Sequence, residues 1–384
     1  MPRFAAAVLV ILLAGCQTVS DTYDRWFGTP RVVVKPAELT AIQPTATPRI
    51  LWRGGVGGSE KSVFFPAVSA NVVYATGVNG EIGAFDAASG ASVGQINAGQ
   101  RLAGGVGAGG GLVVVGTGQG EALAFERDGK QRWKAQLTGE LLAPAVIEGG
   151  IVVARTGDGR IFGLDSLTGA RKWVYQRSTP SLSVRSHVGV VVYRGAVFAG
   201  FAGGRLVALS LSNGNVGWEG VVAFPRGTTE LERVADITSL PVVEDQMACA
   251  VAYQGRVACF DPARGSLLWA RDVSSIAGMA AGGRNVYVTD DRNAVVALDN
   301  TNGASVWKQD KLFGRGVTGP LAVGRHVVVG DFEGYVHVLS RDDGAFAARI
   351  ATDGSAVIAP PAALDGSSFV VQTRAGGVYA ITMQ

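Results

Sequence analysis

Short apolar runs recur along the chain, separated by turns rich in glycine and aspartate. A typical set is Val72–Tyr74, Ile82–Phe85 and Val93–Ile96, with two runs before an Asp-containing turn and one run after it. Copies of this pattern begin at Gly80, Gly120, Gly159, Gly204, Gly255, Asn293, Gly334 and Gly376. A period of roughly forty residues with four strands per unit is typical of a β-propeller blade. The chain is therefore predicted to be all-β, an eight-bladed β-propeller with four antiparallel strands in each blade.

Residues at fixed places in the repeat predict its two tight turns. The leading glycine, such as Gly159, is expected to have a positive φ between two strands, which glycine adopts freely. In segments such as Asp165–Gly169 the Asp is expected to bond the backbone while the Gly takes the left-handed conformation. A tryptophan follows four residues later in several units: Trp133, Trp173, Trp218, Trp269 and Trp307. Because these tryptophans recur regularly, we expect them to fill the gaps between neighbouring blades rather than to bind a ligand.

The two ends of the repeat region predict how the ring closes. The last unit, which begins at Gly376, ends at Gln384 before its outer strand. Ile50-Leu51-Trp52 precedes the first full unit and has no strands of its own before it. We therefore expect this N-terminal strand to complete the last blade, since an open ring would leave exposed strand edges at both ends. The predicted propeller comprises residues 49–384.

The amino terminus carries a second strong pattern. Met1-Pro-Arg3 is followed by an apolar run, Phe4–Leu13, that is too short for a membrane-spanning helix. It ends in Leu13-Ala14-Gly15-Cys16, which resembles the lipobox of bacterial lipoproteins. The resemblance implies a signal peptide over residues 1–15, a lipidated Cys16 and, from Gln17 after it, an outer-membrane location. An ordinary signal peptide is the alternative. Residues 16–48 are predicted to be a flexible tether, in which Tyr23, Trp26 and Phe27 have no assigned role.

Composition and candidate chemistry narrow the functional classes. The 384-residue chain carries a formal net charge of only +3, and no basic stripe with interleaved aromatic residues favours nucleic-acid binding. The three histidines, His187, His326 and His337, have no metal-ligand spacing. Gly105-x-Gly107-x-x-Gly110 matches a dinucleotide-binding fingerprint by letter, but it leads into an apparent strand rather than a helix.

The two cysteines of the repeat region occupy mirror positions about one turn. Cys249 and Cys259 flank the turn near Gln254 and Gly255. In an oxidising compartment they could form a cross-strand disulfide, and two buried thiols are the equal alternative.

Two families share this repeat. The Asp-x-x-x-Gly-x-x-x-Trp core resembles the blade motif of pyrroloquinoline-quinone dehydrogenases, whose adjacent Cys-Cys pair and acidic Ca²⁺ ligands this chain lacks. A lipobox joined to eight repeats resembles, over essentially the whole chain, the BamB family of the outer-membrane β-barrel assembly machinery. This second resemblance implies a non-enzymatic, lipid-anchored scaffold without a cofactor. It would face the periplasm, bind the POTRA domains of a BamA-like subunit and aid the folding and insertion of outer-membrane proteins. Contact with unfolded precursors is a further expectation.

Two segments resemble the BamB loops that dock on POTRA domains, and both lie in the longest stretches between repeats. In Pro180–Arg185, Leu182, Val184 and Arg185 match the family pattern of two apolar residues and an arginine. In Thr229–Thr238, Asp236 matches the first of two acidic positions, whereas Thr238 stands at the second. The resemblance implies partner binding by these five residues, with Asp236 either pairing with Arg185 or facing the partner. A quinoprotein-like dehydrogenase and a periplasmic binding propeller with an unrelated partner remain the alternative functions.

Overall fold

The computed structural model describes residues 35–383, and within that range the chain forms eight four-stranded antiparallel sheets. The N-terminal strand is β1 (Pro48–Gly55). Blade 1 contains β2 (Ala67–Ser69), β3 (Val72–Thr76), β4 (Glu81–Asp86) and β5 (Ser92–Asn97). Blade 2 contains β6 (Gly107–Gly109), β7 (Leu112–Gly116), β8 (Glu121–Glu126) and β9 (Gln131–Gln136). Blade 3 contains β10 (Val146–Glu148), β11 (Ile151–Arg155), β12 (Ile161–Asp165) and β13 (Arg171–Tyr175).

The remaining blades repeat this arrangement. Blade 4 contains β14 (Val191–Tyr193), β15 (Ala196–Phe201), β16 (Arg205–Ser210) and β17 (Val216–Val221). Blade 5 contains β18 (Val242–Glu244), β19 (Met247–Val251), β20 (Val257–Phe260) and β21 (Leu267–Arg271). Blade 6 contains β22 (Gly278–Gly282), β23 (Asn285–Thr289), β24 (Val295–Asp299) and β25 (Ser305–Gln309). Blade 7 contains β26 (Leu321–Val323), β27 (His326–Gly330), β28 (Tyr335–Ser340) and β29 (Phe346–Ala351). Blade 8 contains β30 (Ala362–Ala363), β31 (Ser368–Gln372) and β32 (Gly377–Met383) together with β1.

Blade 8 confirms the predicted ring closure. Its strands lie in the order β30, β31, β32 and β1, so the N-terminal strand is the outer strand of the last blade. The β1–β32 ladder runs from the pair Pro48 and Met383 to the pair Gly55 and Gly377. The eight-bladed propeller expected from the repeat is therefore confirmed, with both chain ends joined in one sheet.

The burial pattern explains why the middle strands of each blade are almost entirely apolar. All five residues of β7 and the central four of β8 are buried, because these strands pack against the neighbouring blade on both faces. The outer strand β9 instead buries Trp133 and exposes most of its other residues. The glycines of the fingerprint-like motif lie at and near β6, and the next element is the strand β7 rather than a helix.

Six tryptophans join successive blades, as the repeat predicts. Each indole covers a turn glycine of the next blade; a side chain at Gly169 would meet Trp133 at 2.7 Å. Each indole nitrogen also donates a hydrogen bond to a carbonyl in that blade, as Trp133 does to Ser166 at 2.9 Å. The other pairs are Trp52–Ala87, Trp173–Leu211, Trp218–Pro262, Trp269–Asn300 and Trp307–Arg341. These tryptophans are packing elements.

The leading glycines have the expected positive φ with one exception. Gly159 has φ +81°, and Asn293 takes the same role in its unit with φ +66°. In blade 5 the positive φ of +48° falls on Gln254 instead of Gly255. A side chain at Gly255 would still lie 2.7 Å from the Cβ of Ala223, so close packing requires glycine there.

Residues 37–47, here called the strap, lie against blade 7 and correct the expected tether boundary. The backbone N–H of Ala37 donates to Phe313 O at 2.9 Å, and that of Thr45 donates to Ala347 O at 2.8 Å. Leu39 packs against the cluster that contains Trp307. Contacts with the ring therefore begin at Ala37 rather than at residue 49, because backbone groups of the strap bond to the ring and Leu39 is partly buried against it. Cys16, residues 1–34 as a whole and the aromatic segment Tyr23–Phe27 lie outside the described residues.

A buried ionic cluster in blade 7 supports the strap. Arg315 lies between the carboxylates of Asp331 and Glu333 and donates to Ala37 O at 3.1 Å. Asp331 also bonds to the ring of His337, at 3.0 Å from Nε2. Arg349 donates to His337 Nδ1 at 3.2 Å, and its other end reaches the carbonyl of Thr40 in the strap at 3.2 Å. The hydrogen bonds to the strap are thus held in place from inside the blade.

Candidate docking site on the loop face

The longest connections between blades lie side by side on one face of the ring. This face, called the loop face, carries the connections from each outer strand to the inner strand of the next blade. The Asp-containing turns lie on the opposite face, called the turn face. Residues 176–190 connect blades 3 and 4, and residues 222–241 connect blades 4 and 5. The two segments that resemble docking loops therefore come from consecutive blade junctions.

Leu182, Val184 and Arg185, here called the docking patch, form the outer part of the first loop. The side chain of Leu182 is 40% exposed, and Val184 is half-buried. The Arg185 side chain is 67% exposed, and its Nη2 atom contacts both carboxylate oxygens of Glu140 at 3.0 and 2.9 Å. Both of these bonds use one nitrogen, so the other N–H groups of the guanidinium still point to solvent or to a partner. The patch combines apolar area with an accessible cation.

Asp236 does not have the role expected for it. Its side chain is buried, with 3% exposure, and does not pair with Arg185. One carboxylate oxygen accepts from the backbone N–H of Val184 at 2.7 Å, and the other accepts from that of Gly203 at 3.0 Å. A buried carboxylate needs such donors, and here they fasten the first loop to the second loop and to blade 4. Asp236 therefore positions the docking patch from below.

Thr238, at the second family acidic position, is partly buried at the edge of the same region. Its hydroxyl donates to Ile276 O at 3.3 Å, which links the second loop to the next blade junction. Around it the loop face exposes apolar side chains that the sequence reasoning did not single out: Phe224, Leu231, Leu240 and Ile276. Glu140, the ion-pair partner of Arg185, was also missed. It belongs to a different blade junction, and no local pattern in the sequence links two loops 45 residues apart.

The docking patch continues into the mouth of the ring. A cavity of about 690 Å³ opens on the loop face, and its lining comes from several blade junctions, including Phe65, Val184, Leu240 and Ile276. His187 lies at the same mouth. Burial, together with the positive charge of Arg185, lowers the pKa of His187 below its ordinary value, and Glu140 opposes this change. The neutral form of the ring is therefore favoured, and the mouth is mostly apolar.

Neither a metal cluster nor a membrane-spanning helix is found in the described part of the chain. Among residues 35–383 no three His, Cys, Asp or Glu side chains are grouped closely enough to hold a metal ion. In the same range no helix has the length and apolar character needed to cross a membrane.

Cys249 and Cys259 face each other directly across β19 and β20, with their Cα atoms 4.0 Å apart. The structure joins them by a disulfide bond. Both residues are fully buried in the cluster that also contains Trp269. The cross-link therefore ties the two middle strands of blade 5 inside the core.

Comparison with known proteins identifies the family. The family model described as outer membrane protein assembly factor BamB matches residues 78–309 and 294–384. A curated protein from Nitrosomonas eutropha with the same description is 44% identical over 100% of this chain and 95% of its own length. The chain belongs to the BamB family. Its relatives' name describes them as assembly factors rather than dehydrogenases, and it associates the family with the outer membrane.

Solved structures agree with this assignment. The crystal structure of BamB from Moraxella catarrhalis superposes with a TM-score of 0.80 at 28% identity, covering 88% of this chain and 100% of that one. A quinohemoprotein alcohol dehydrogenase from Comamonas testosteroni superposes with a TM-score of 0.71 at 13% identity, covering 87% and 76% of the two chains. The second likeness shows a shared propeller fold alone, which explains why the repeat resembles the blade motif of quinoproteins.

Proposed function

We propose that this BamB-family protein is a non-enzymatic scaffold of the outer-membrane β-barrel assembly machinery. The docking patch would bind the periplasmic POTRA domains of a BamA-like subunit, and the protein would thereby aid the folding and insertion of outer-membrane proteins. Lipidation at Cys16 would hold the ring at the outer membrane, facing the periplasm. The observation that carries this proposal is the exposed Leu182–Arg185 segment, which is held in a fixed position on the loop face of a family member.

The contacts of the docking patch favour a rigid interface rather than a mobile loop. Asp236 binds the backbone of Val184 from below, and Glu140 binds Arg185 from the side. A segment that is already ordered loses little conformational entropy when it binds. Arginine is enriched at binding hot spots, and the apolar residues beside Arg185 would help to exclude water around it once a partner is bound. Direct contact with unfolded precursors is a further part of the proposal, for which the apolar mouth beside the patch offers a surface.

The experiment is co-purification of the BamA-like subunit with the lipid-anchored protein. Leu182→Asp would place a charge in the interface, and Arg185→Ala would remove its cation. We expect each variant to weaken the affinity at least about tenfold, which corresponds to about 1.4 kcal/mol of binding free energy, and so to retain less of the partner than the wild type. Circular dichroism should show an unchanged fold, since both side chains point outwards.

Matched controls come from the turn face. Leu167 is 66% exposed in the turn after β12, and Arg325, in the turn before β27, has a side chain that is 88% exposed. Leu167→Asp and Arg325→Ala make the same chemical changes on the opposite face, so both should retain the partner. Wild-type levels of partner with the Leu182→Asp/Arg185→Ala double variant would place the interface elsewhere on the ring.

A further inference from the structure

Arg155 lies beneath the docking loop, and no Asp or Glu among residues 35–383 forms an ion pair with it. It is the last residue of β11, and its guanidinium carbon lies 4.8 Å from the ring centre of Phe201 in the next blade. Its single hydrogen bond to the described chain is a long one, 3.5 Å from Nη1 to Gly189 O. Most of its five N–H donors therefore have no protein acceptor.

The buried Arg315 shows what a guanidinium inside the ring has when it is paired. Arg315 is 3% exposed and is neutralised by Asp331 and Glu333, which raise its pKa. Arg155 retains some accessible surface, yet burial alone lowers its pKa to about 10, with no carboxylate to oppose the effect. An arginine held in this way is costly to the isolated protein, because its charge is partly removed from water without a partner.

The guanidinium lines a polar crevice that opens under the docking patch. The crevice has a volume of about 210 Å³, and its walls include Ser183, Arg185 and Ser186 of the first loop. A water molecule takes up about 30 Å³, so the space holds several waters or one acidic side chain with a few waters. Two carboxylates also line it, but Glu140 is engaged by Arg185 and Asp236 by two backbone amides. Neither carboxylate contacts Arg155 directly, so its guanidinium has no ion-pair partner within residues 35–383.

We propose that this crevice is a receptor for a carboxylate side chain of the docked partner, with Arg155 as its main donor. The proposal rests on the proposed function, since the mouth of the crevice is formed by the same loop that would dock. Arginine suits this ligand because its planar fork binds a carboxylate through two parallel hydrogen bonds. The hydroxyl groups of Ser183 and Ser186 line the same space and add donors. Binding of the partner would supply the direct ion pair that Arg155 lacks in the described chain.

The first test measures the affinity of the mature chain for the purified periplasmic domains of the BamA-like subunit. Arg155→Met is expected to raise the dissociation constant roughly 30-fold or more, since loss of one member of an enclosed charge pair leaves the other unpaired. Arg155→Lys keeps the positive charge but not the planar guanidinium, so its dissociation constant should lie between those of the wild type and Arg155→Met. Arg160→Met is the matched control on the same face: Arg160 is already paired with Asp158 at 2.8 Å, so its loss should change the affinity less than threefold.

Thermal unfolding of the isolated protein separates a binding role from a structural one. If Arg155 serves the partner, Arg155→Met removes an unpaired cation and should leave the melting temperature unchanged or higher. A lower melting temperature together with unchanged affinity would assign Arg155 to holding Gly189, and the proposal would be overturned. If the wild type fails to bind the periplasmic domains, the docking proposal itself fails. It also fails if Arg185→Ala and Leu182→Asp leave the affinity unchanged. If Arg155→Met alone leaves the affinity unchanged, only the proposal for the crevice is overturned.

The second test identifies the carboxylate. In the complex formed by the Arg155→Lys variant, a water-soluble carbodiimide activates a nearby carboxyl group. The amine of the introduced lysine then attacks the activated carbon, an amide bond forms, and the carboxyl oxygen leaves with the carbodiimide as a urea. Mass spectrometry is expected to show position 155 joined to an aspartate or glutamate of the partner. A cross-link solely to Glu140 or Asp236 of the same chain, or none to the partner, would contradict the proposal.

Discussion

Trp52 offers the sharpest test of how the ring is closed. Its indole is 7% exposed, stacks on Phe85 with ring centres 5.9 Å apart, and covers Gly90. Its nitrogen donates to Ala87 O at 2.8 Å. Because Trp52 lies in β1, the outer strand of blade 8, these contacts join blade 8 to blade 1. Trp52→Ala therefore removes the side chain that locks the two ends of the chain together.

The expected loss follows from the size of the side chain and the size of the ring. Replacing a buried tryptophan with alanine costs about 3–5 kcal/mol, from lost transfer free energy and the cavity that remains. Unfolding entropy is about 2.1 cal/mol/K per residue, so for about 350 residues the melting temperature should fall by about 4–7 °C. Trp52→Phe keeps a ring over Phe85 and Gly90 but loses the hydrogen bond to Ala87, and should cost about 1–2 kcal/mol.

Calorimetry of the variants decides the question. Trp173→Ala is the reference within the ring, because Trp173 has the same exposure and the same bond, to Leu211 O at 2.8 Å. Leu51→Ala is the negative control on the same strand, since Leu51 points outwards. Trp52→Ala should match Trp173→Ala to within about 1 kcal/mol. A melting temperature for Trp52→Ala no lower than that of Leu51→Ala would refute the reasoning that β1 closes a packed ring.

Two further predictions concern the interior of the ring. The disulfide closes the short loop between Cys249 and Cys259 and should stabilise blade 5 by about 3 kcal/mol or less in the chain-entropy model. The Cys249→Ala/Cys259→Ala variant should therefore have a lower melting temperature. A reducing agent should lower the melting temperature of the wild type but not that of the variant. Burial lowers the pKa of His337 despite its bond to Asp331, with Arg349 and Arg315 acting in the same direction as burial. The unfolded chain, with a histidine pKa of about 6.5, then takes up the proton first, so stability is full above that pH and falls as the pH drops toward the folded-state pKa. His337→Gln should flatten the fall in melting temperature between about pH 7 and 5, and an unchanged slope would contradict this assignment.

The fold could be predicted because its determinants are local and repeated. Turn glycines such as Gly169 and the tryptophans that cover them recur at a fixed spacing, so each unit supports the same interpretation. Ring closure was also predictable, since the last unit lacks an outer strand and the segment containing Trp52 lacks a blade. The exposed side chains Leu182 and Arg185 could be proposed from the family resemblance, and the structure places both on the loop face.

The parts that could not be predicted depend on contacts between distant loops. Asp236 was expected to be a contact residue from its match to a family acidic position, whereas its burial follows from backbone N–H groups 52 and 33 residues away. The role of the strap depends on the carbonyl of Ala37 meeting Arg315, which is 278 residues away. The sequence around Arg155 contains no motif that points to a binding role. Arg155 is distinguished only by the lack of an ion-pair partner in the folded protein, which cannot be predicted from the sequence.

The strap would have a mechanical consequence if the ring is held through Cys16, as proposed. Tension applied there reaches Ala37 first and must break the hydrogen bonds at Ala37, Thr40 and Thr45 before it loads the ladder between β1 and β32. The strap would therefore detach before any force acts on β1, the strand that closes the ring. The load enters at blade 7, whereas the docking loops lie at the junctions of blades 3 to 5 across the ring. A pull between membrane and partner would thus be borne across the whole ring, with the closing strand shielded until the strap has peeled away.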